Sequence, residues 1–124
     1  MSDIKTDMVN HPPHYKDASG IECIEVTTHM QFCGGNCFKY LYRAGKKGST
    51  VEDLKKAAWY ANKADEFGEQ VTVTTRNVIS VVANHRPKGN VHDAMVNIMH
   101  ENWKGIVALM GYEITRLESE AADD

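Results

Sequence analysis

The sequence lacks any apolar run close to the roughly 20 residues that cross a membrane. Its N-terminus, MSDIKTDMVNHPPHY, also lacks the apolar core of a signal peptide. Cysteine is scarce: there are three, an odd number in a chain without an export signal, which indicates a reducing compartment. The sequence therefore predicts a cytoplasmic protein with no membrane partner.

An excess of positive charge is missing as well. The formal net charge is −3, and general nucleic-acid binding needs a net basic surface, so we expect no nucleic-acid polymer as a partner. The average hides an asymmetry. Residues 36–56 hold six lysines or arginines against two acids, whereas residues 101–124 hold two against six. A local basic site of this kind suits a small anionic ligand.

Apolar residues make up 42% of the chain and charged residues 25%, as in an ordinary soluble protein. A length of 124 residues allows one domain with a modest core. Apolar residues recur mostly at helical spacing. The sequence therefore predicts a mainly α fold, a small single-domain helical bundle preceded by an extended N-terminal segment.

Three helices are expected in the first half of the chain. The first covers residues 21–31, and a turn over residues 32–35 separates it from the second, over residues 36–44. The capping box Ser49-x-x-Glu52 starts the third helix, which extends to about Gly68, and its many alanines predict a closely packed neighbouring helix. Spacing places Ile21, Ile24 and Thr28 on one side of the first helix. Cys37, Phe38 and Leu41 should face inward from the second, and the third has a narrow apolar stripe made of Val51, Leu54, Ala58 and Ala61.

Beyond residue 70 the pattern leaves alternatives open. Residues 71–75 are rich in β-branched side chains and form either a short strand or the lead-in to a helix over residues 77–84. We favour the lead-in, because no partner strand is apparent. After a loop, Asn90 caps a long final helix that extends to about Glu118. It is either continuous or, because Gly105 and Gly111 weaken it, two helices with a kink. Trp103 lies off the apolar stripe of this helix.

The final helix is too long for a small core to cover completely. Self-association through it would bury the excess apolar surface, so we expect a homo-oligomer. The alternative, a helix packed entirely within one monomer, is nearly as well supported.

The run from Asn36 to Trp59 carries the clearest functional signal. Lys39 and Arg43 fall one helical turn apart, and a Gly-Lys-Lys-Gly turn then leads to Ser49 at the start of the next helix. Positive charges, free backbone N–H groups and a helix N-terminus together favour an anion, most often a phosphate. The alternative is a solvated cationic face beside an ordinary turn.

A second polar cluster, Asn10-His11-Pro12-Pro13-His14-Tyr15, should be stiff and extended. His11 and His14 could donate hydrogen bonds to phosphate oxygens, and Tyr15 could stack on a base. The alternative is a structural lid anchored by Tyr15.

Two familiar kinds of site are not supported. The turn is not a Walker A loop, because Tyr40 and Lys47 stand where that motif needs a glycine and a serine or threonine. Cys33 and Cys37 could offer two thiolates on one helical turn, with Cys23 or a histidine beside them, but no second paired motif completes a zinc site. We therefore predict no bound structural metal.

Three blocks, NHPPHY, GIECIEV and GNCFKYLYRAGKKGSTVEDLKKAAWY, occur in this order between about Asn10 and Lys63. Together they resemble a group of small bacteriophage proteins that includes a nucleotide kinase without a Walker motif. The resemblance implies a phage protein in the host cytoplasm, phosphoryl transfer to deoxynucleoside monophosphates, and an oligomer. The region after about Gly68 matches nothing in that group.

With this resemblance we expect a nucleotide-binding protein of the nucleoside monophosphate kinase type, with ATP or another nucleotide as ligand. Asp53 and Glu22 are weak candidates to hold a metal or a hydroxyl, and the need for a divalent metal stays open. The expected catalytic residues are Arg43, Lys39 and His14. The expected ligand-binding residues are Asn10, His11, His14, Tyr15, Asn36, Lys39, Tyr40, Arg43, Lys46, Lys47 and Ser49.

The chain then divides into an extended N-terminal segment (1–20), a helical nucleotide-binding region (21–68) and a C-terminal helical region (69–124) that could mediate oligomerisation. Two other functions stay open. One is a non-catalytic binder that sequesters signalling nucleotides of host defence, favoured by the lack of a convincing carboxylate pair. The other is a helical adaptor that binds a host protein through the acidic C-terminal helix.

Overall fold

A computed structural model describes residues 17–46 and 48–123 of the chain. Within these residues the chain forms six α-helices and no β-strand, which confirms the mainly α fold. The helices are α1 (Cys23–Thr27), α2 (Phe32–Arg43), α3 (Thr50–Glu66), α4 (Val73–Asn84), α5 (Asn90–Met99) and α6 (Trp103–Asp123).

Helix α3 lies at the centre of the packing, against both α2 and α6. Its fully buried alanines, Ala57, Ala61 and Ala64, let these neighbours approach closely, as the sequence predicts. Helix α5 packs on α4 and α6, and α1 packs on α2. The largest side chains of the resulting core include Phe38, Leu41, Leu54, Ile79, Met95 and Ile106.

Helix α2 begins at Phe32, so the predicted turn over residues 32–35 is wrong. The Glu69 carboxylate accepts hydrogen bonds from the first N–H groups of the helix, those of Cys33 at 3.0 Å and Gly34 at 2.6 Å. Gly34 also leaves room for a neighbour, because a Cβ there would lie 2.9 Å from the ring of Trp103. A cap supplied 35 residues away extends the helix. The predicted buried residues Cys37, Phe38 and Leu41 are confirmed.

Helix α1 is shorter than predicted and packs on a different face. Cys23 and Val26 are buried and Ile21 is half-buried, whereas Ile24 is 61% exposed and Thr28 is exposed as well. The side that the sequence groups together is therefore not the side that is covered. Five residues make little more than one turn, and contact with α2 rather than apolar spacing decides which side is covered.

Helix α3 starts as the sequence predicts. Ser49 is its N-cap, and the Ser49 hydroxyl accepts a hydrogen bond from the Glu52 N–H at 3.2 Å. The helix ends at Glu66, just before Gly68. Leu54 and Ala61 are buried as expected, and Val51 and Ala58 are half-buried. The prediction missed that Asp53, in the first turn, is buried too.

No strand forms over residues 71–75, which confirms that this segment belongs to a helix start, but α4 begins at Val73 and not at the predicted residue 77. The Thr72 hydroxyl caps this helix by accepting from the Thr75 N–H at 3.1 Å. The predicted cap at Asn90 is wrong. Gly89 occupies that position, and Asn90 instead donates from Nδ2 to the Glu113 carboxylate at 2.9 Å, which joins α5 to α6.

The predicted final helix is two helices, separated at residues 100–102 rather than at either glycine. Glu101 has a φ of 56°, which ends the helical path, and the Asn102 side chain accepts from the Gly105 N–H at 3.1 Å to start α6. Trp103 is buried rather than off the apolar face, and its indole N–H donates to the Glu69 carbonyl at 3.3 Å. No described helix is both long and apolar enough to span a membrane.

Candidate functional site

The turn between α2 and α3 depends on two glycines. Gly45 and Gly48 have φ values of 84° and 72°, a region that other residues adopt only with strain. The Lys46 N–H closes the turn on the Arg43 carbonyl at 2.9 Å. A Cβ at Gly48 would come within 3.3 Å of Arg43 Nη2, so glycine also leaves space for the guanidinium. The turn thus places the side chain of Arg43 against the start of α3.

Arg43 is anchored by a buried carboxylate. Its Nε lies 3.2 Å from Asp53 Oδ1, and the exposed fractions of the two side chains are 48% and 4%. Oδ2 of Asp53 is buried and has no hydrogen-bond partner among the described residues. The pair fixes the Nε edge of the guanidinium and leaves its two Nη groups to meet an anion from solvent.

Lys39 lies one turn before Arg43 on α2 and is exposed. Its ammonium is 4.6 Å from the ring centre of Tyr40, and Lys56 lies 5.4 Å from the same ring. Tyr40 stacks on Tyr60, with ring centres 6.0 Å apart and planes 11° apart. Lys39 and Arg43 therefore form a cationic face of α2, while Tyr40 already has one aromatic partner.

Lys46 is engaged elsewhere. Its ammonium lies 3.4 Å from Asp17 Oδ2 and 3.6 Å from the ring centre of Tyr42. Burial lowers the pKa of Lys46, although Asp17 opposes that shift. Burial disfavours ionised Asp17, but hydrogen bonds from Ser19 and the charge of Lys46 outweigh it, so the pKa of Asp17 is lowered. Lys46 thus holds Asp17 beside Tyr42, close to the end of α2.

The acidic residues at the start of α3 are both paired, which limits their repulsion of an anion. Asp53 binds Arg43, and Glu52 lies 3.1 Å from the ammonium of Lys56. Ser49 uses its hydroxyl oxygen as the cap and keeps its O–H for donation. Glu22 precedes α1, and its N–H donates to the Glu25 carboxylate.

Several predicted residues lie outside the described part of the chain. They are Asn10, His11, Pro12, Pro13, His14, Tyr15 and Lys47. Of the predicted ligand-binding residues that are described, Asn36, Lys39 and Arg43 lie along one face of α2, at spacings of three and four residues. Lys46 does not join them, because Asp17 and Tyr42 hold it.

Sequence reasoning missed the charged residues that hold the two ends of α2. Glu69 accepts from its first N–H groups, and Arg86 donates to the carbonyls of Tyr42 at 3.1 Å and Ala44 at 2.6 Å. Burial lowers the pKa of Arg86. Neither residue has a local signal, because each acts on atoms more than 30 positions away in sequence.

The cysteines do not form a metal site in the described residues, where no group of three histidine, cysteine or acidic side chains could hold an ion. Burial raises the pKa of the Cys23 thiol to about 11, and it also raises the pKa values of Cys33 and Cys37. The three thiols are free, buried and neutral near pH 7, so they are poor nucleophiles.

Comparison with known proteins gives a match to a family model and a similarity to a phage protein. Residues 9–62 match the model of a family described as a protein of unknown function, DUF3310. The chain is 39% identical over 75 residues to the "Gene 1.7 protein" of Enterobacteria phage T3, a match that covers 52% of this chain. It spans 45% of that relative, less than half its length. No solved structure matches. The family match covers α1, α2 and most of α3. The chain is also similar to a phage protein over about half of its length.

Proposed function

We propose that this chain is a phage nucleotide-binding protein of the nucleoside monophosphate kinase type. In this reaction the γ-phosphoryl group of ATP passes to a phosphate oxygen of a deoxynucleoside monophosphate, which yields ADP and a deoxynucleoside diphosphate. The observation that carries the proposal is Arg43, anchored on Asp53 beside a glycine turn, with Lys39 one helical turn away.

Phosphoryl transfer needs positioning and charge neutralisation more than covalent chemistry by the protein. Arg43 suits this role because Asp53 fixes Nε, so a phosphate meets a guanidinium that is already oriented. Lys39 adds a second, exposed charge on the same face of α2. In this proposal Asn10, His11, His14, Tyr15 and Lys47 complete the site, with His14 as the third catalytic group.

The carboxylates play a smaller part in the proposal than the cations. Asp53 is buried and paired with Arg43, so it positions the arginine rather than binding a metal. A divalent ion, where the reaction needs one, would enter with the phosphates of ATP, which are its usual ligands. We place the reaction in the host cytoplasm.

A second candidate is a non-catalytic binder that sequesters signalling nucleotides of host defence. One observation favours it: the carboxylate nearest to the cationic face is already occupied by Arg43. Binding needs the cations alone, whereas proton removal from an attacking group would need a free base.

The two candidates are separated by turnover. The protein is incubated with ATP and each deoxynucleoside monophosphate, and the products are resolved by thin-layer chromatography. Diphosphate formation supports the kinase, and stoichiometric retention without turnover supports the binder. Lys39→Ala should lower turnover or affinity at least tenfold, since Lys39 is exposed and its loss should spare the fold. Lys104→Ala, a matched loss of charge on α6, should change neither.

We also propose that the protein forms a homo-oligomer through the second half of α6. Beyond Met110 no described residue of this helix is buried, although Ile114 and Leu117 are half-buried and Tyr112 is 70% exposed. An apolar surface of this kind is stabilised when a second copy covers it.

A further inference from the structure

A cavity of about 230 Å³ opens beside the N-terminal half of α2, between that helix and the end of α1. Pockets that enclose a whole small ligand measure roughly 300–1,000 Å³, so this one has room for only part of a nucleotide. The residues that matter to the argument are Met30, Gln31, Phe32, Asn36 and Lys39.

Two side-chain amides line this cavity, and each is bound to the backbone through one of its polar groups: Asn36 through its NH2 group and Gln31 through its oxygen. The Nδ2 group of Asn36 donates to the Phe32 carbonyl at 2.8 Å, which leaves Oδ1 as an acceptor. Oε1 of Gln31 accepts from the Gln70 N–H at 2.7 Å, which leaves Nε2 as a donor. Because backbone groups fix both amides, the cavity offers one acceptor and one donor at defined positions. The edge of a nucleobase carries the complementary groups.

The cavity also has an apolar rim. Phe32 is 72% exposed, and its contact with Tyr60 is edge-on, with ring centres 6.1 Å apart and planes at 72°. An exposed aromatic ring offers a face on which any base can stack. Met30 adds a flexible apolar wall that adapts to the shape of a ring.

The position of the cavity relative to Lys39 and Arg43 indicates how a nucleotide would lie along α2. Phe32, Asn36, Lys39 and Arg43 follow one another at spacings of four, three and four residues, so they lie along one face of α2. With a rise of 1.5 Å per residue, Asn36 and Arg43 are about 10 Å apart along the axis. Lys39 both lines the cavity and lies one turn from Arg43.

We propose that this cavity binds the base of the nucleotide. The edge of the base meets Asn36 Oδ1 and Gln31 Nε2, and one of its faces lies on Phe32. The sugar then lies near Lys39, and the phosphates extend towards Arg43 and the glycine turn. This inference rests on the proposed function, because it places the base of the same nucleotide whose phosphates Arg43 would bind.

The test compares ligands with and without a base. Calorimetry measures the affinity of the full chain for each of the four deoxynucleoside monophosphates and for 2-deoxyribose 5-phosphate, which keeps the sugar and the phosphate. Phe32→Ala should weaken binding of the nucleotides about 5- to 50-fold, as expected for loss of base stacking. It should leave binding of 2-deoxyribose 5-phosphate unchanged. Phe67→Ala, which removes a phenyl ring of similar exposure that does not line the cavity, should change neither affinity.

Asn36→Ala is a second variant, with the same selective loss expected, and the circular dichroism spectrum of each variant checks its fold. If the wild-type protein binds nucleotides and both variants bind them equally well, the placement of the base is refuted while the proposed function stands. An equal loss for both ligands would refute the placement in the same way. If the wild type binds no nucleotide at all, the proposed function fails, and the placement fails with it.

Discussion

Replacement of Arg43 by alanine should weaken the fold as well as the proposed site. The sequence alone suggests an exposed cation that can be removed without structural cost. In the structure, however, the Asp53 side chain is 4% exposed, and the ion pair to Arg43 Nε at 3.2 Å is the contact that balances its charge. Without the guanidinium, a carboxylate stays buried with no countercharge.

The size of this effect follows from the burial of the two partners. Removal of one partner from a fully buried ion pair costs about 3–5 kcal/mol, whereas an exposed pair contributes about 0–1 kcal/mol. Arg43 is 48% exposed, so solvent screens part of the interaction. We therefore expect Arg43→Ala to lower the free energy of unfolding by about 2 kcal/mol, which for a chain of this size lowers Tm by roughly 6–10 °C.

Urea unfolding, followed by circular dichroism at 222 nm, measures this prediction in a double-mutant cycle. Asp53→Asn removes the charge but keeps the size of the side chain, so the double variant should lose at least about 1 kcal/mol less than the sum of the two single variants. Lys56→Ala is the control, because its ion pair with Glu52 is exposed and should contribute under about 0.5 kcal/mol. Additivity of the two changes within about 0.5 kcal/mol would refute the pairing.

Arg43→Lys separates stability from binding. Lysine keeps the positive charge beside Asp53 but loses the planar fork of donors that grips a phosphate. We expect this variant to recover part of the lost stability while its affinity for nucleotides stays at least tenfold below that of the wild type, as calorimetry would show. Full recovery of affinity would show that charge alone is needed.

Three further predictions concern the rest of the chain. Glu69→Ala should lower the free energy of unfolding by about 1–2 kcal/mol in urea, because two N–H groups of α2 lose their cap, whereas Glu66→Ala should change it by under about 0.5 kcal/mol. The folded-state pKa of Asp17 is lowered, so its contribution to stability is present above its unfolded pKa near 3.8 and is lost as the pH falls through the folded value. The stability of Asp17→Asn should therefore fall less than that of the wild type below about pH 4 in an acid titration. Leu117→Lys should reduce the mass measured by sedimentation if α6 joins two copies, and an unchanged mass would exclude that interface.

Where a structural signal is local, the sequence predicts the structure well. Ser49 caps α3 through an atom three residues away, and the alanines of α3 face its neighbours as their helical spacing indicates. The charge pattern along α2 is local in the same sense, so the sequence alone predicts that Lys39 and Arg43 share one face.

Two of the failures, at the start of α2 and at Asp53, share a physical cause, which is a partner that no local pattern reveals. The start of α2 was missed because its cap comes from Glu69, and a Gly-Gly pair in isolation indicates a turn. Asp53 was considered a metal ligand because nothing local shows that Arg43 occupies it. A single continuous helix over residues 90–118 would put Trp103 off the apolar face. The break at residues 100–102 changes the orientation of α6 relative to α5, and Trp103 is buried as a result.

The second half of the chain contributes to the candidate site by holding α2 in place. A carboxylate from Glu69 lies at the N-terminus of this helix and a guanidinium from Arg86 at its C-terminus, so each charge complements the helix dipole at its end. Both residues lie outside residues 9–62, the segment that matches the family model. Catalysis and selective binding require side chains whose supporting elements do not move, and these two contacts fix the helix that carries Asn36, Lys39 and Arg43. The C-terminal part of the chain thus supplies contacts that keep the residues proposed to meet the ligand aligned.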